Sequence, residues 1–210
     1  MALHKRWRWL GAFGPDLMLC VATARVGLAR ASWWAVWDGQ ELREGRRAGA
    51  PELDFSPGRA IEATTGPTWT RKTPGRVTGT AGGRPIDAPG LLDESAGRHP
   101  RHTAWLWSAG AGVTESGAPV MWNLVQGMHP GENTVWVDGE PHAVDPPRFD
   151  GLRGVAGLTF TAQATRARRE NWLVIASDYE QPFGTFAGEL PVAGRLRDAR
   201  GVMERHEARW

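Results

Sequence analysis

Glycine and proline interrupt this chain too often for helices. The 210 residues include 27 Gly and 15 Pro, spread from end to end. Glycine costs a helix interior backbone entropy, and proline removes an N–H and clashes with the preceding turn. Few intervals free of both are long enough for a helix. Between them lie short runs rich in Val, Trp, Thr and Phe, which suit a pleated surface. Strands are predicted at Leu17–Thr23, Trp33–Asp38, Ala60–Thr64, Arg76–Thr80, Thr103–Ser108, Val120–Val125, Thr134–Val137, Leu158–Ala164, Trp172–Ser177 and Thr185–Leu190. The clearest hairpin is Thr134–Val144, where Asp138-Gly139 suits a two-residue type I′ turn with positive φ at both positions. Many short strands between turn signals predict an all-β barrel or sandwich.

Alternation assigns faces. Thr103, Trp105 and Trp107 share one face of their strand, and His102, Ala104 and Leu106 the other. Trp172–Ser177 is apolar on both faces and is expected to be a central strand covered on both sides. Read as a strand, the C-terminus puts Val202, Glu204, His206, Ala208 and Trp210 inward, and Met203, Arg205, Glu207 and Arg209 into solvent. A helix over Asp198–Arg209 is the competing reading. No internal repeat of fixed period is evident, and the Gly/Pro-rich stretch near Gly82–Gly97 reads as a crossover between two halves.

Basic and acidic residues nearly balance, 25 against 23, and Lys5 and Lys72 are the only lysines. The arginines are scattered, which reads as coding bias and argues against a nucleic-acid surface. Cys20 stands alone in an apolar run, as a small buried hydrophobe, and implies no oxidising compartment. The basic N-terminus is followed by Gly14, Pro15 and Asp16, a poor signal peptide, and no window of 18 apolar residues occurs. A cytoplasmic protein without an integral membrane segment is expected.

The unusual count is 12 Trp. Indoles bury much apolar area but need a partner for the N–H, so they fill a wide core or line a cavity. Candidate polar groups lie beside them. Asp93 follows Leu91-Leu92, where it either projects into a cavity as a proton donor or caps a loop. Asn123 sits inside an apolar strand and either orients a ligand or ties strands together. His99 and His102 form an H-x-x-H, but Pro100 disfavours a helical metal site, so no metal is expected. P-loop, dinucleotide, nucleophile-elbow and zincin motifs do not occur, and no cofactor is expected.

Several motifs carry a family resemblance. They are Asp93-Glu-Ser-Ala-Gly-Arg-His-Pro-Arg-His-Thr-Ala-Trp-Leu-Trp-Ser-Ala-Gly110, Trp122-Asn-Leu-Val125, Thr134-Val-Trp-Val-Asp-Gly139, Ser177-Asp-Tyr-Glu-Gln-Pro-Phe-Gly-Thr-Phe186 and Gly201-Val-Met-Glu-Arg-His-Glu-Ala-Arg-Trp210. Lys5-Arg-Trp-Arg-Trp9, Phe13-Gly-Pro15 and Trp69-Thr-Arg-Lys72 fit as well. Over nearly the whole chain the sequence resembles the DUF2804 family. The resemblance implies a distant likeness to the lipocalin-like pairs of carotenoid hydratases and tocopherol cyclases. In the hydratases an Asp in a D-x-x-x-G segment protonates an alkene, and Asp93 to Gly97 is similar to it. The sequence departs from that pattern at Arg98, where an aromatic residue is expected, and it is compact between Trp37 and Trp69.

The expectation is therefore an all-β protein of lipocalin- or calycin-like antiparallel barrels or sandwiches, two of them face to face, with halves at residues 1–98 and 99–210. Its partner is a small hydrophobic molecule, isoprenoid- or polyketide-like, bound and in the fuller reading converted by cofactor-free acid–base chemistry. Asp93, His102, Glu204 and His206 are the catalytic candidates, and Trp105, Trp107, Trp122, Asn123, Tyr179 and Trp210 the ligand-binding ones. A non-catalytic carrier and a structural or interaction protein are the rival classes.

Overall fold

In a computed structural model of the chain, describing residues 4–172 and 175–209, the alternating runs become two antiparallel sheets. The residues cluster into two compact units, Met1–His99 and Pro100–Trp210. The first holds β1 (His4–Phe13), β2 (Met18–Val26), β3 (Ala29–Trp37), β4 (Leu42–Gly45), β5 (Glu52–Pro57), β6 (Ile61–Thr65), β7 (Thr68–Ala81) and β8 (Arg84–Arg98). The second holds β9 (His102–Thr114), β10 (Pro119–Gln126), β11 (Thr134–Val137), β12 (Glu140–Ala143), β13 (Gly154–Val155), β14 (Leu158–Trp172), β15 (Ile175–Leu190) and β16 (Gly194–Arg209). Among the described residues the helical content is one 3₁₀ turn, Pro130–Glu132, and no helix is long and apolar enough to cross a membrane.

The predicted I′ turn is present: Asp138 and Gly139 have φ of 51° and 82°, and Val137 pairs with Glu140. Three expectations are corrected. Gly82–Gly97 is no crossover; Gly82-Gly83 turns the chain and the rest is strand β8. Its glycines serve packing, since a Cβ on Gly90 would lie 2.5 Å from the Gly11 carbonyl oxygen. Trp172–Ser177 is not one strand, because Trp172 pairs with Ile175 across the β14–β15 reversal; Leu173 and Val174 lie outside the described residues. The C-terminus is strand rather than helix, and Met203, expected in solvent, is fully buried. It packs with Val120, Trp122, Leu124, Phe160 and Phe186 in the core of the second unit. The first unit has its own core of Ala12, Leu17, Leu19, Val36, Val77 and Ile86.

The two units share one connectivity. In each, the first strand pairs with the last (β1 with β8, β9 with β16), and the others run outward in sequence on either side, except that β5 and β6 both pair with β7. The repeat missed in the sequence is therefore one of topology, and it leaves a trace. Gly83-Arg-Pro-Ile-Asp-Ala-Pro-Gly90 and Gly194-Arg-Leu-Arg-Asp-Ala-Arg-Gly201 share Gly, Arg, Asp, Ala and Gly at matching places. Trp7-Arg-Trp9 likewise answers Trp105-Leu-Trp107. Between these anchors the sequences have diverged, which hides the period.

Candidate functional site

Register builds the site in the second unit. Opposite residues on antiparallel neighbours share a face. On β9 and β16, Trp105 pairs with His206 and Trp107 with Glu204. On β15, Tyr179 pairs with His206, and alternation adds Ser177 and Gln181 beside it. One face thus gathers two indoles, a phenol, an imidazole, a primary amide and a carboxyl group.

The carboxyl group is at its centre. Glu204 is 7% exposed and both its oxygens accept hydrogen bonds: Oε1 from the Trp105 indole N–H at 2.8 Å and Oε2 from Gln181 Nε2 at 2.8 Å. Gln181 is itself fully buried. A buried carboxyl group needs such donors to offset the loss of water. His206 packs edge-on against the same Trp105 ring (centroids 4.4 Å apart) and against Tyr179 (5.3 Å). Its Nε2 lies 2.9 Å from the Ser177 hydroxyl, either atom serving as donor according to the tautomer. The Arg166 guanidinium lies 4.9 Å from the Tyr179 ring centroid, at cation–π distance.

Asn123, on β10, works as a strut. Its Oδ1 accepts from the Trp107 indole at 2.8 Å and its amide donates to the Glu132 carbonyl at 2.9 Å. It ties the Trp107 ring to the 3₁₀ turn and holds the aromatic face in place.

Other candidates lie elsewhere. His102 sits on the opposite face of β9, exposed, with Nε2 2.8 Å from Glu207 Oε1, and is not part of the cluster. Alternation alone separates it from Trp105. Trp122 is also on the other face: it donates to Ser108 Oγ at 3.0 Å, packs edge-on against Phe186, and belongs to the apolar core. Trp210 lies outside the described residues.

Asp93 belongs to the first unit and is not the lone acid in an apolar pocket that a proton donor there calls for. It is buried and forms an ion pair with Lys72, directly across on β7. Asp93 faces Trp9 as Glu204 faces Trp107, so the two carboxyl groups occupy equivalent places in the repeated topology. The first unit answers its carboxylate with an ammonium; in the second, an indole and an amide N–H donate to the carboxyl group. Lys5, on the Trp7–Trp9 face of β1, is 5% exposed, and burial lowers its amine to about 8. Among the described residues no three His, Cys, Asp or Glu side chains gather as a metal site.

The residues that sequence reasoning passed over are Gln181, Ser177, Arg166 and Lys72. Alternation along Ser177, Tyr179 and Gln181 carried a signal for the first two. Lys72, one of only two lysines, carried another.

A family model described as a domain of unknown function, DUF2804, matches residues 70–210. The chain belongs to that family. No curated protein matches it. Among solved structures, one similar fold is that of a protein assigned as AttH, from Nitrosomonas europaea. It is 13% identical over 97% of this chain and 92% of that one, with a TM-score of 0.51. Another is CghA solved with Sch210972, 10% identical over 99% of this chain and 88% of that one, with a TM-score of 0.50. At such identities the likeness is one of fold, and the fold is lipocalin-like.

Proposed function

We propose that this DUF2804 protein binds a small apolar molecule at the aromatic face of β9, β15 and β16, where Glu204 and His206 supply acid–base chemistry without a cofactor. Each unit is read as one lipocalin-like half. The observation that carries the reading is Glu204, a buried carboxyl group set among Trp105, Gln181, His206 and Tyr179. A core without a ligand has little use for that combination, because a carboxyl group is costly to desolvate. Trp105 and Tyr179 line the site with aromatic rings, which suit an apolar skeleton, and a positive charge developing over a ring gains about 0.5–2 kcal/mol. Glu204 and His206, two residues apart on one strand face, are placed to give and take a proton on a molecule lying across both. A positioned acid or base of this kind typically contributes about 10²–10⁴ in rate. The fold supports the reading by analogy, since CghA has been solved with Sch210972.

The carrier reading has one observation in its favour: both Glu204 oxygens are already engaged by the scaffold. The same experiment separates the two. Native mass spectrometry of the freshly purified chain should show a small-molecule adduct lost on denaturation, and retinol, a generic isoprenoid probe, should quench tryptophan fluorescence. Trp105→Phe should weaken retinol binding. Glu204→Gln should leave the co-purified molecule bound but stop its conversion if the site is catalytic, and change nothing in the bound molecule if the protein is a carrier. No adduct together with retinol quenching unaltered by Trp105→Phe rules out both readings.

A further inference from the structure

The arginines scattered in sequence are gathered by the first sheet. Arg6 on β1 pairs directly with Arg25 on β2, and Arg25 with Arg30 on β3. All three are exposed, and among the described residues no carboxylate lies within ion-pair distance of them. Like charges directly opposite on neighbouring strands oppose pairing, so the row weakens the sheet unless an anion meets it from outside. His4, opposite Arg98, extends the row on β1, and a groove of about 350 Å³ is lined by His4, Arg6, Arg25 and Gly27. Most exposed arginines elsewhere differ: Arg195 pairs with Glu115, Arg153 with Asp150 and Arg169 with Asp178.

A second, independent feature stands beside the row. The β2–β3 hairpin turns on Gly27 and Leu28, with Gly27 at φ 58° in the left-handed region that a first central residue of this turn requires. Leu28 at the tip is 94% exposed, the highest value among the exposed large hydrophobic residues described. A lone exposed leucine is ordinary; one on a tight tip above three uncompensated arginines is a combination suited to an interface with anionic headgroups outside and acyl chains beneath.

We propose that this tip docks on an anionic lipid bilayer: Arg6, Arg25 and Arg30 meet headgroup phosphates, one of them seated in the groove, and Leu28 enters the acyl boundary. A bare phosphate or a nucleic acid would use the arginines and ignore the leucine. The proposal does not depend on the Glu204 site.

The test is co-sedimentation of the full chain with vesicles of phosphatidylcholine alone and of phosphatidylcholine mixed equally with phosphatidylglycerol. Binding is expected to the mixed vesicles only, and to fall as salt is raised, because exposed charges are screened over about 8 Å at physiological ionic strength. Replacing Arg6, Arg25 and Arg30 together by Ser should lower partition on the order of 100-fold, from about fivefold per arginine near an anionic surface. Leu28→Ser should lower it about tenfold or more. Arg195→Ser with Arg197→Ser should leave it within about twofold, a control for net charge and for folding. Equal sedimentation with both vesicle types, or a triple variant that binds like the parent, overturns the proposal. So does a site that takes inorganic phosphate or duplex DNA as well as the mixed vesicles, with no dependence on Leu28.

Discussion

Trp105 and Trp107 make matched experiments on the candidate site. Both indoles are buried to a similar degree, 7% and 5% exposed, and both donate their N–H at 2.8 Å. They differ in acceptor: a carboxyl oxygen of Glu204 for Trp105, a neutral amide oxygen of Asn123 for Trp107. Substitution by Phe removes the N–H and part of the ring volume in each case, so the packing losses largely cancel between the two variants. A hydrogen bond to a charged group contributes about 1.5–3 kcal/mol and one between neutral groups about 0.5–1.5 kcal/mol. Trp105→Phe should therefore destabilise the Pro100–Trp210 unit by about 1–1.5 kcal/mol more than Trp107→Phe does. Urea unfolding followed by far-UV circular dichroism measures this, with the two units allowed separate transitions and slopes compared before free energies. Equal losses, or a larger loss for Trp107→Phe, would refute the reasoning. They would mean that Glu204 does not meet the indole as a carboxylate.

Two further predictions concern the first unit. Lys72→Met leaves Asp93 buried without its ammonium and should cost about 3–5 kcal/mol, while adding Asp93→Leu should recover most of it, since an apolar pair carries no desolvation penalty; urea melts of the single and double variants check both. Burial lowers the Lys5 amine from 10.5 to about 8, so between those pH values the unfolded chain binds more protons than the folded one. Stability should thus rise with pH across that window, by about 3 kcal/mol, and the rise should be absent from Lys5→Met in melts run from pH 7 to 10.5.

The sequence alone determined that this is a β protein, because helix breaking and alternation act within a few residues. It also put Glu204 and His206 on one face, for the same reason: i and i+2 share a face whatever lies next door. That rule also separates His102 from Trp105, and would have found Gln181 from Tyr179.

Tertiary structure decided what depends on which strand is the neighbour and in what register. Lys72 reaches Asp93 only because β7 lies against β8 in one particular alignment. Met203 is buried because side chains from other strands, among them Val120, Leu124, Phe160 and Phe186, gather on its face of the sheet, and Trp122 joins them rather than the site. Arg6, Arg25 and Arg30 form a row only when three strands lie side by side. Strand pairing couples residues far apart in the chain through hydrogen bonds that every backbone offers alike. The side chains therefore record which face a residue occupies far more plainly than they record which residue will stand opposite.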